Sequence, residues 1–498
     1  MDPILYWNEV ALEANRVSHT NGKGEQTGPT LSSRALAIVH LAMYDAFAGA
    51  SNYPAALPAY LGLPAPAGAP LDDQSKAAAV AAAAHATLSD LFPSQKPFFD
   101  LELAKAGNVL NPGHAFGLVV ANAILNDRAG DPDAGASGYK PSPGRGRHRP
   151  DPDNPDQGFH APFYGAKSKL FAVTKRHELT APPQPSLPNP APAYISALKQ
   201  VRGKGIAPEL MGTLPANAPR RTVEQTLIGV YWAYDGAREL GTPPRLYNQI
   251  MRVVAKNKNN STEENARLFA LVNVAMADAG ILAWDQKYIH DLWRPVVGIR
   301  EHDKSMGPAA DQGNNDIDPD CQSDWLPLGA PATNLSNLPK TPQPIPSNKN
   351  FTPPFPAYPS GHATFGAAAF HITRLFYGPQ NEGGVGRGGV SKGDRKQDTL
   401  FQGLEIVSDE HNGISKDNKG AVRPRHVRNF QNGLWHMIVE NGRSRVWLGV
   451  HWVFDAFLEK NNGEPDLDKN VGGVPLGLTI AEDIFENKMT KSTKGPRT

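Results

Sequence analysis

The stretch STEENARLFALVNVAMADAGILAWDQKYIHDLWRP, residues 261–295, has the strongest helical pattern of the chain. It opens with Ser261-Thr-Glu-Glu264, a capping box in which the serine and the glutamate satisfy each other's free amides at a helix start. A long apolar run follows, broken at Asn273 and Asp278. These two polar residues leave fewer than the roughly 18 consecutive apolar residues of a membrane span. We expect one long core helix that Pro295 terminates, because proline cannot continue a helix.

Eight other segments have apolar residues at the three- and four-residue spacing that is typical of amphipathic helices. They cover residues 36–47, 73–92, 116–129, 222–234, 360–376, 427–446, 451–460 and 476–487. Alternating strand patterns are scarce, and residues 130–192 and 300–359 are long, proline- and glycine-rich stretches without helical periodicity. We therefore expect a mainly α protein built from helical bundles. The first long stretch predicts a division into domains 1–195 and 196–498.

The composition excludes several classes of protein. The 498 residues carry 50 Lys and Arg against 49 Asp and Glu, a formal net charge of +1. This balance argues against nucleic-acid partners and against a polybasic membrane binder. Cys321 is the single cysteine, so no intrachain disulfide is possible. No signal-peptide pattern is visible at the N-terminus. We expect a soluble protein without a membrane span and leave its compartment open, either cytoplasmic or exported by a non-standard route.

Two cations mark the end of the opening stretch. Lys287 and Arg294 are seven residues apart, which on a helix places them on one face, two turns from each other. Pro295 follows directly, so we expect Arg294 at the helix end with a loop after it. A pair of this kind alone is also compatible with an ordinary solvated face.

A second motif lies in Phe355-Pro-Ala-Tyr-Pro-Ser-Gly-His-Ala-Thr364. Pro359 disfavours helix in the residue before it, and Ser360 is a good N-cap. Gly361 and His362 then occupy the first turn of a helix, where free amides and the helix dipole attract anions. Alone, this pattern is also compatible with a capped helix that happens to contain a histidine.

The third motif joins Arg445, His451 and Asp455. Arg445 and His451 are six residues apart, about 240° around a helix, so one straight helix cannot direct both at one point. Gly449 between them permits a break. Asp455 follows His451 by four residues and can hold one imidazole N–H, which fixes the tautomer. The plain alternative is a buried histidine satisfied by a nearby carboxylate.

Together, three cations, a helix N-terminus and two histidines describe a pocket for a tetrahedral oxyanion. The three motifs, Lys-x6-Arg-Pro, Pro-Ser-Gly-His and Ser-Arg-x5-His-x3-Asp, occur intact and in order. They resemble the signature shared by vanadium-dependent haloperoxidases and type 2 phosphatidic acid phosphatases. Residues 6–8, 231–236, 267–272 and 472–477 extend the resemblance toward the fungal vanadium chloroperoxidase branch. The resemblance implies two four-helix bundles, with the active site in the C-terminal one.

The resemblance implies a role for each motif residue. His451 would bind vanadium, and the cations would neutralise vanadate oxygens. Ser360 and the Gly361 amide would hydrogen-bond those oxygens, and His362 would act as the acid/base for hydrogen peroxide. The implied cations are Lys287, Arg294 and Arg445.

Further residues are implied around this centre. Asp235 matches a carboxylate that pairs with Arg445, and Trp284 and Phe355 match positions that line a halide pocket. Phe355 stands where algal bromoperoxidases carry a second histidine, and it favours a dry pocket able to oxidise chloride. For both aromatic residues an ordinary core role is the alternative.

The resemblance implies a haloperoxidase that contains vanadate and oxidises bromide, chloride or iodide with hydrogen peroxide to hypohalous acid, which halogenates an organic acceptor. The first alternative is a phosphohydrolase in which His451 attacks phosphorus and His362 protonates the leaving group. A non-catalytic oxyanion-binding protein is the second, and it predicts a broken motif set. Halide preference, organic acceptor and oligomeric state stay open.

Overall fold

The computed structural model describes residues 2–107, 110–186, 189–302, 306–307, 318–331, 350–378 and 401–497. Helices dominate these ranges, so the prediction of a mainly α protein is confirmed. The α-helices are α1 (Pro3–Ser18), α2 (Gly28–Ala50), α3 (Asp73–Leu91), α4 (Lys96–Lys105), α5 (Pro112–Arg128), α6 (Tyr164–Lys167), α7 (Pro192–Lys204), α8 (Val223–Tyr231), α9 (Pro243–Asn257), α10 (Thr262–His290), α11 (Pro295–Glu301), α12 (Gly361–Tyr377), α13 (Gly433–Trp447) and α14 (Gly473–Glu486).

Helix α10 is the central element, and its capping box at Ser261 and Glu264 forms as predicted. The helix is long and apolar enough to cross a membrane by length and composition, but 94% of its most apolar window is buried inside the protein. A helix that is apolar on all sides must be covered by other elements, as α10 is.

The two polar residues within α10 hold other parts of the chain. The Asn273 side chain exchanges hydrogen bonds with that of Asn248 on α9, at 2.8 and 3.0 Å. The Asp278 carboxylate accepts three backbone N–H bonds of 2.6–2.9 Å from residues 171–173. The long proline-rich stretch 130–192 is therefore fastened to the core, although it contributes only the short helix α6 and the first residue of α7.

Helices from each half of the chain form their own group. In the N-terminal half, α2, α3 and α5 pack against one another and α1 lies beside α2 and α3. In the C-terminal half, α12 packs against α10, α13 and α14. Helix α10 also packs along α2 and joins the two bundles. The predicted division between residues 195 and 196 stays a prediction.

Several predicted element boundaries were wrong. Helix α10 ends at His290, because Asp291 takes a left-handed conformation with φ of 50°. Arg294 is instead the N-cap of α11, so Pro295 begins a helix and does not end one. The expected helix 451–460 is a single 3-10 turn, Val453–Asp455, followed by strand β3. There the Asp455 carboxylate accepts the Trp452 amide and closes a tight turn.

Two short antiparallel ribbons complete the described elements. Strand β1 (Leu404–Ile406) pairs with β2 (Arg428–Phe430), and β3 (Leu458–Glu459) pairs with β4 (Pro465–Asp466). Strand β2 occupies the start of the expected helix 427–446, so α13 begins only at Gly433.

Candidate active site

A cavity of about 290 Å³, here called the central cavity, lies where α10, α12 and α13 meet the start of α2. Arg445, His451, His362 and Gly361 line one side of it. The rings of Trp284, Phe355 and His160, which contact one another, line another part of it. Lys287, Arg294 and Ser360 are buried immediately behind these walls. The three motifs, spread over 169 positions of sequence, therefore converge on one place.

The His451 side chain has a single possible tautomer. Its Nδ1 is 2.7 Å from Asp455 Oδ2, and its Nε2 is 2.9 Å from Nη1 of Arg294. A guanidinium can only donate, so Nε2 carries the lone pair and Nδ1 carries the proton. Burial, and next the Arg294 charge, lower the pKa of His451 well below its usual range. The imidazole is thus neutral and presents an unprotonated nitrogen to the cation cluster.

Asp455 fixes the orientation of the His451 ring through its Nδ1 atom. Its carboxylate accepts from the imidazole and from the Trp452 amide, the latter at 3.0 Å. Burial raises the pKa of Asp455 to about 7, and the charges of Lys287 and Arg294 act in the opposite direction. The pairing predicted from the four-residue spacing is present, although a tight turn and not a helix produces it.

Gly449 makes the convergence of Arg445 and His451 possible. Helix α13 ends at Trp447, and Gly449 follows with φ of +76°, a conformation that strongly favours glycine. Any side chain there would overlap the carbonyl oxygen of Gly205. The helix break that Gly449 permits is therefore present, as the sequence predicted.

The two arginines bring spare donors to the site. Arg445 uses Nη2 for both oxygens of Asp235, at 2.7 and 2.9 Å. Arg294 uses Nε and Nη1 for the carbonyls of Phe355 and Val450. Nε and Nη1 of Arg445 and Nη2 of Arg294 are buried, and within the described ranges they have no partner. Buried donors without acceptors are costly, so these three nitrogens suit an anionic ligand.

Helix α12 directs its N-terminus at the same region. Ser360 is the N-cap, and its hydroxyl oxygen accepts the Ala363 amide at 3.4 Å. The amides of Gly361 and His362 precede the first intrahelical bond and are the free donors of a helix start. A methyl group on Gly361 would lie 3.2 Å from the Trp284 ring, so the small residue also lets the two walls approach.

His362 has the opposite tautomer from His451. Its Nε2 is 2.6 Å from the carbonyl oxygen of Ala233 and 4.0 Å from Asp235 Oδ1. A carbonyl can only accept, so Nε2 carries the proton and Nδ1 is the basic atom. Burial, and next Arg445, lower the pKa of His362 well below its usual range.

Lys287 is buried behind the rings of Trp284 and Phe355. Its ammonium donates to the carbonyls of Pro356, Ala357 and Pro359, at 2.9, 3.1 and 2.5 Å. It also lies 5.5 Å from the centre of the Trp284 ring and 5.0 Å from that of Phe355. Burial, and next Arg294, lower the pKa of Lys287 well below its usual range. Lys287 therefore fixes the loop before α12 and carries charge beneath the aromatic rings.

The aromatic side contains one residue that the sequence analysis did not predict. The rings of Trp284 and Phe355 lie 4.7 Å apart, and His160 packs against both, at 6.0 and 6.1 Å. His160 comes from the proline-rich stretch 130–192, more than a hundred residues before the motifs. No spacing rule links it to them, so only the tertiary structure could identify it.

All eleven predicted site residues lie in or directly around the central cavity. Among the described residues no cluster of three His, Cys, Asp or Glu side chains suits a metal cation. The site offers unprotonated imidazole nitrogens on His451 and His362 and several cationic donors, a donor set that matches an oxyanion.

Two family models match the chain: the vanadium chloroperoxidase N-terminal domain over residues 1–159, and the second helical-bundle domain of the same enzyme, VCPO, over residues 267–464. The predicted domain boundary falls between these two matches. The chain is also 36% identical to the vanadium chloroperoxidase of Curvularia inaequalis over an alignment of 593 positions, which covers 97% of this chain and 89% of that enzyme.

Solved structures share the fold. A bacterial vanadium-dependent iodoperoxidase aligns with a TM-score of 0.62 at 18% identity, covering 96% of this chain and 95% of that one. A bacterial vanadium-dependent chloroperoxidase in its apo form aligns with a TM-score of 0.59 at 16% identity, covering 92% and 94%. With the family models and the Curvularia relative, the conclusion is that this chain belongs to the vanadium chloroperoxidase family.

Proposed function

We propose that this protein binds vanadate in the central cavity and oxidises halide with hydrogen peroxide to hypohalous acid. The observation that carries the proposal is the fixed tautomer of His451. Its unprotonated Nε2 lies among buried guanidinium donors, and its Nδ1 is held by Asp455 at 2.7 Å. A neutral imidazole with its second nitrogen bonded to a carboxylate is a typical metal ligand.

The residues of the site fit vanadate. The three unpartnered guanidinium nitrogens of Arg294 and Arg445 supply donors for an oxyanion. The Ser360 hydroxyl and the Gly361 amide add donors from the start of α12. His451 would bond to vanadium through Nε2, and Arg294 would then exchange its bond to that nitrogen for one to an oxygen of vanadate. When bound, vanadate supplies a Lewis-acidic centre that activates hydrogen peroxide toward halide.

In this proposal His362 accepts a proton from hydrogen peroxide and later returns it. Its Nε2–H is committed to the Ala233 carbonyl, so proton exchange with peroxide takes place at Nδ1. Because burial and Arg445 keep the imidazole neutral, Nδ1 acts as a base when peroxide arrives and returns the proton later. Asp235, 4.0 Å from Nε2, favours the protonated form that appears in between.

Asp235 and Lys287 contribute indirectly, Asp235 through Arg445 and Lys287 through the loop carbonyls that it binds. Asp235 positions Arg445 through two hydrogen bonds from one guanidinium nitrogen. Lys287 uses its three ammonium protons on carbonyls, so a bond to vanadate requires the exchange of one of them. Its charge, beside the Trp284 and Phe355 rings, would nevertheless favour electron withdrawal from an oxygen of a ligand bound nearby.

Trp284 and Phe355 form the halide pocket in this proposal. Their rings lie beside the cations, and Arg294 is 4.9 Å from the centre of the Phe355 ring. Large, weakly hydrated surfaces of this kind exclude water, which makes the halide a better nucleophile and protects the product from side reactions. The substrates are therefore small molecules: hydrogen peroxide, halide and an organic acceptor.

Phosphohydrolysis is the second candidate, since one observation supports it as well. The lone pair on His451 Nε2 among oxyanion donors also suits attack on phosphorus, with His362 protonating the leaving group. The family membership favours the haloperoxidase.

The test uses the full-length protein stripped of vanadate by a chelator. Halogenation of monochlorodimedone is measured with hydrogen peroxide and bromide or chloride, with and without added vanadate, and hydrolysis of p-nitrophenyl phosphate is measured in parallel. We expect halogenation to depend on vanadate and to be inhibited by phosphate, which competes for the same donors. Phosphate-ester turnover without any halogenation would overturn the proposal.

A further inference from the structure

The position of His160 in the central cavity has no assigned role. Its imidazole lines the cavity and contacts the rings of Trp284 and Phe355. Its Nε2 is 3.1 Å from the Thr30 hydroxyl at the start of α2. Among the described residues, Nδ1 has no hydrogen-bond partner. Gly28 packs on the same ring, and any side chain there would overlap it.

The backbone of His160 makes three hydrogen bonds in which the imidazole takes no part. The His160 amide donates to the Pro354 carbonyl at 2.9 Å. Its carbonyl accepts from Trp284 Nε1 at 3.3 Å and from the Tyr288 hydroxyl at 2.7 Å. Any residue except proline, which lacks the amide proton, could make these three bonds. Nδ1 of the imidazole is thus left to serve the cavity, as a polar nitrogen beside two apolar rings.

We propose that His160 determines halide selectivity by donating its Nδ1–H to the halide held against Trp284 and Phe355, so that this bond replaces one from water. The proposal rests on the haloperoxidase function proposed above. It requires that the Thr30 hydroxyl donates to Nε2, which places the ring proton on Nδ1. Burial lowers the pKa of His160 to about 4, so at neutral pH the ring acts as a neutral donor.

A donor at this place affects the halides unequally. Chloride is smaller than bromide or iodide, is more strongly hydrated, and accepts stronger hydrogen bonds. Moving it into an apolar pocket therefore costs more unless a donor compensates. His160 would lower that cost most for chloride. The aromatic side of the cavity would then exclude water and still contain one hydrogen-bond donor. That donor, His160, comes from the N-terminal half of the chain.

The experiment compares His160→Phe with His160→Gln in the vanadate-loaded enzyme. Phenylalanine keeps a ring against Trp284 and removes the donor, whereas glutamine keeps a donor. We expect His160→Phe to raise the KM for chloride about tenfold and that for bromide only a few-fold, with the KM for peroxide unchanged. Glutamine should restore most of the chloride affinity. His85→Gln, a histidine change on α3 outside the cavity, is the matched control.

A second measurement does not depend on turnover. Crystals of the wild type and of His160→Phe are soaked in bromide, and the anomalous signal of bromine is located. We expect a bromide within hydrogen-bond distance of His160 Nδ1 in the wild type and weaker occupancy in the variant. Equal chloride-to-bromide KM ratios in both proteins, or a bromide away from His160, would overturn the inference. If the wild type oxidises no halide with vanadate present, the proposed function fails instead.

Discussion

The two sides of the central cavity are built in different ways. The cationic side consists of Arg294, Arg445, His362 and His451 with the carboxylates Asp235 and Asp455. One hydrogen-bonded pair on this side, His451 and Asp455, is only four residues apart in the sequence. The aromatic side consists of Trp284, Phe355 and His160, which come from three distant stretches. The cationic side holds charge through directional bonds, and the aromatic side excludes water through packed rings.

This difference has a chemical consequence. On the cationic side each nitrogen has a defined role, so a single substitution should affect cofactor binding or proton transfer. On the aromatic side the rings act through polarity and shape, so a substitution should change the relative use of halides and leave the cofactor in place. The predictions below test this separation, beginning with the largest effect.

Removal of the imidazole in His451→Ala should abolish vanadate binding at micromolar concentrations. The variant loses the imidazole lone pair that faces Arg294, so we expect affinity to fall about a thousandfold or more, equal to about 4 kcal/mol. Equilibrium dialysis measures the affinity directly. Vanadate should also raise the Tm of the wild type and leave that of the variant unchanged, because only binding to the folded state stabilises it. Retained tight binding would contradict the ligand role.

His362→Ala should separate binding from turnover. The variant keeps His451 and both arginines, so vanadate affinity should stay within about tenfold of the wild type. Loss of a general acid/base typically costs about a hundredfold or more in rate. Steady-state kcat with saturating bromide measures this effect. An unchanged kcat would show that His362 lines the cavity but does not transfer protons.

Gly449→Ala should disturb the convergence of Arg445 and His451. Alanine is strained at φ of +76° and would overlap the Gly205 carbonyl, so we expect a destabilisation of about 1–3 kcal/mol. Vanadate affinity should fall along with Tm. Gly130→Ala is the control, because a methyl group at that position meets no atom within 4 Å. Equal behaviour of the two variants would show that the glycine is not required.

Phe355→His changes the aromatic side alone. A second imidazole beside Trp284 makes the pocket more polar, and we expect chloride use to fall several-fold relative to bromide, with vanadate affinity preserved. The ratio of kcat/KM for the two halides is the measurement. A constant ratio would exclude Phe355 from halide selection.

The smallest effect concerns His19, which lines the cavity near the aromatic side. Its Nδ1 donates to the Asn15 carbonyl and its Nε2 accepts the Gly28 amide. Burial lowers the pKa of His19 to about 4 in the folded state. Between pH 6.5 and 4 the unfolded chain binds a proton that the folded chain does not, so the stability contributed by neutral His19 is lost as the pH falls.

The His19→Gln variant lacks this titration. The difference in stability between wild type and variant should therefore shrink by at most about 2 kcal/mol as the pH is lowered from 7 to 5. Thermal unfolding at several pH values measures the difference. A difference that is independent of pH would place the His19 ring in a more hydrated environment than its contacts indicate.

Much of the fold could be predicted from local patterns. The capping box at Ser261, and the apolar spacing of α8, α12 and α14, located helices to within a few residues. Predictions failed where a tertiary contact replaced the local preference. Asp291 and Asp455 both turn the chain where periodicity alone favoured a longer helix. Helices α1 and α9 were not predicted from periodicity.

By itself the sequence identified the charged and basic residues of the cationic side through its three motifs. Spacing of four gave the His451–Asp455 pair, and Gly449 marked the break that follows Arg445. The tertiary structure alone decided which donors are unpartnered, which tautomer each histidine takes, and that His160 joins Trp284 and Phe355. Those properties depend on contacts across more than a hundred residues, and hydrogen-bond partners at that distance leave no periodic pattern in the chain.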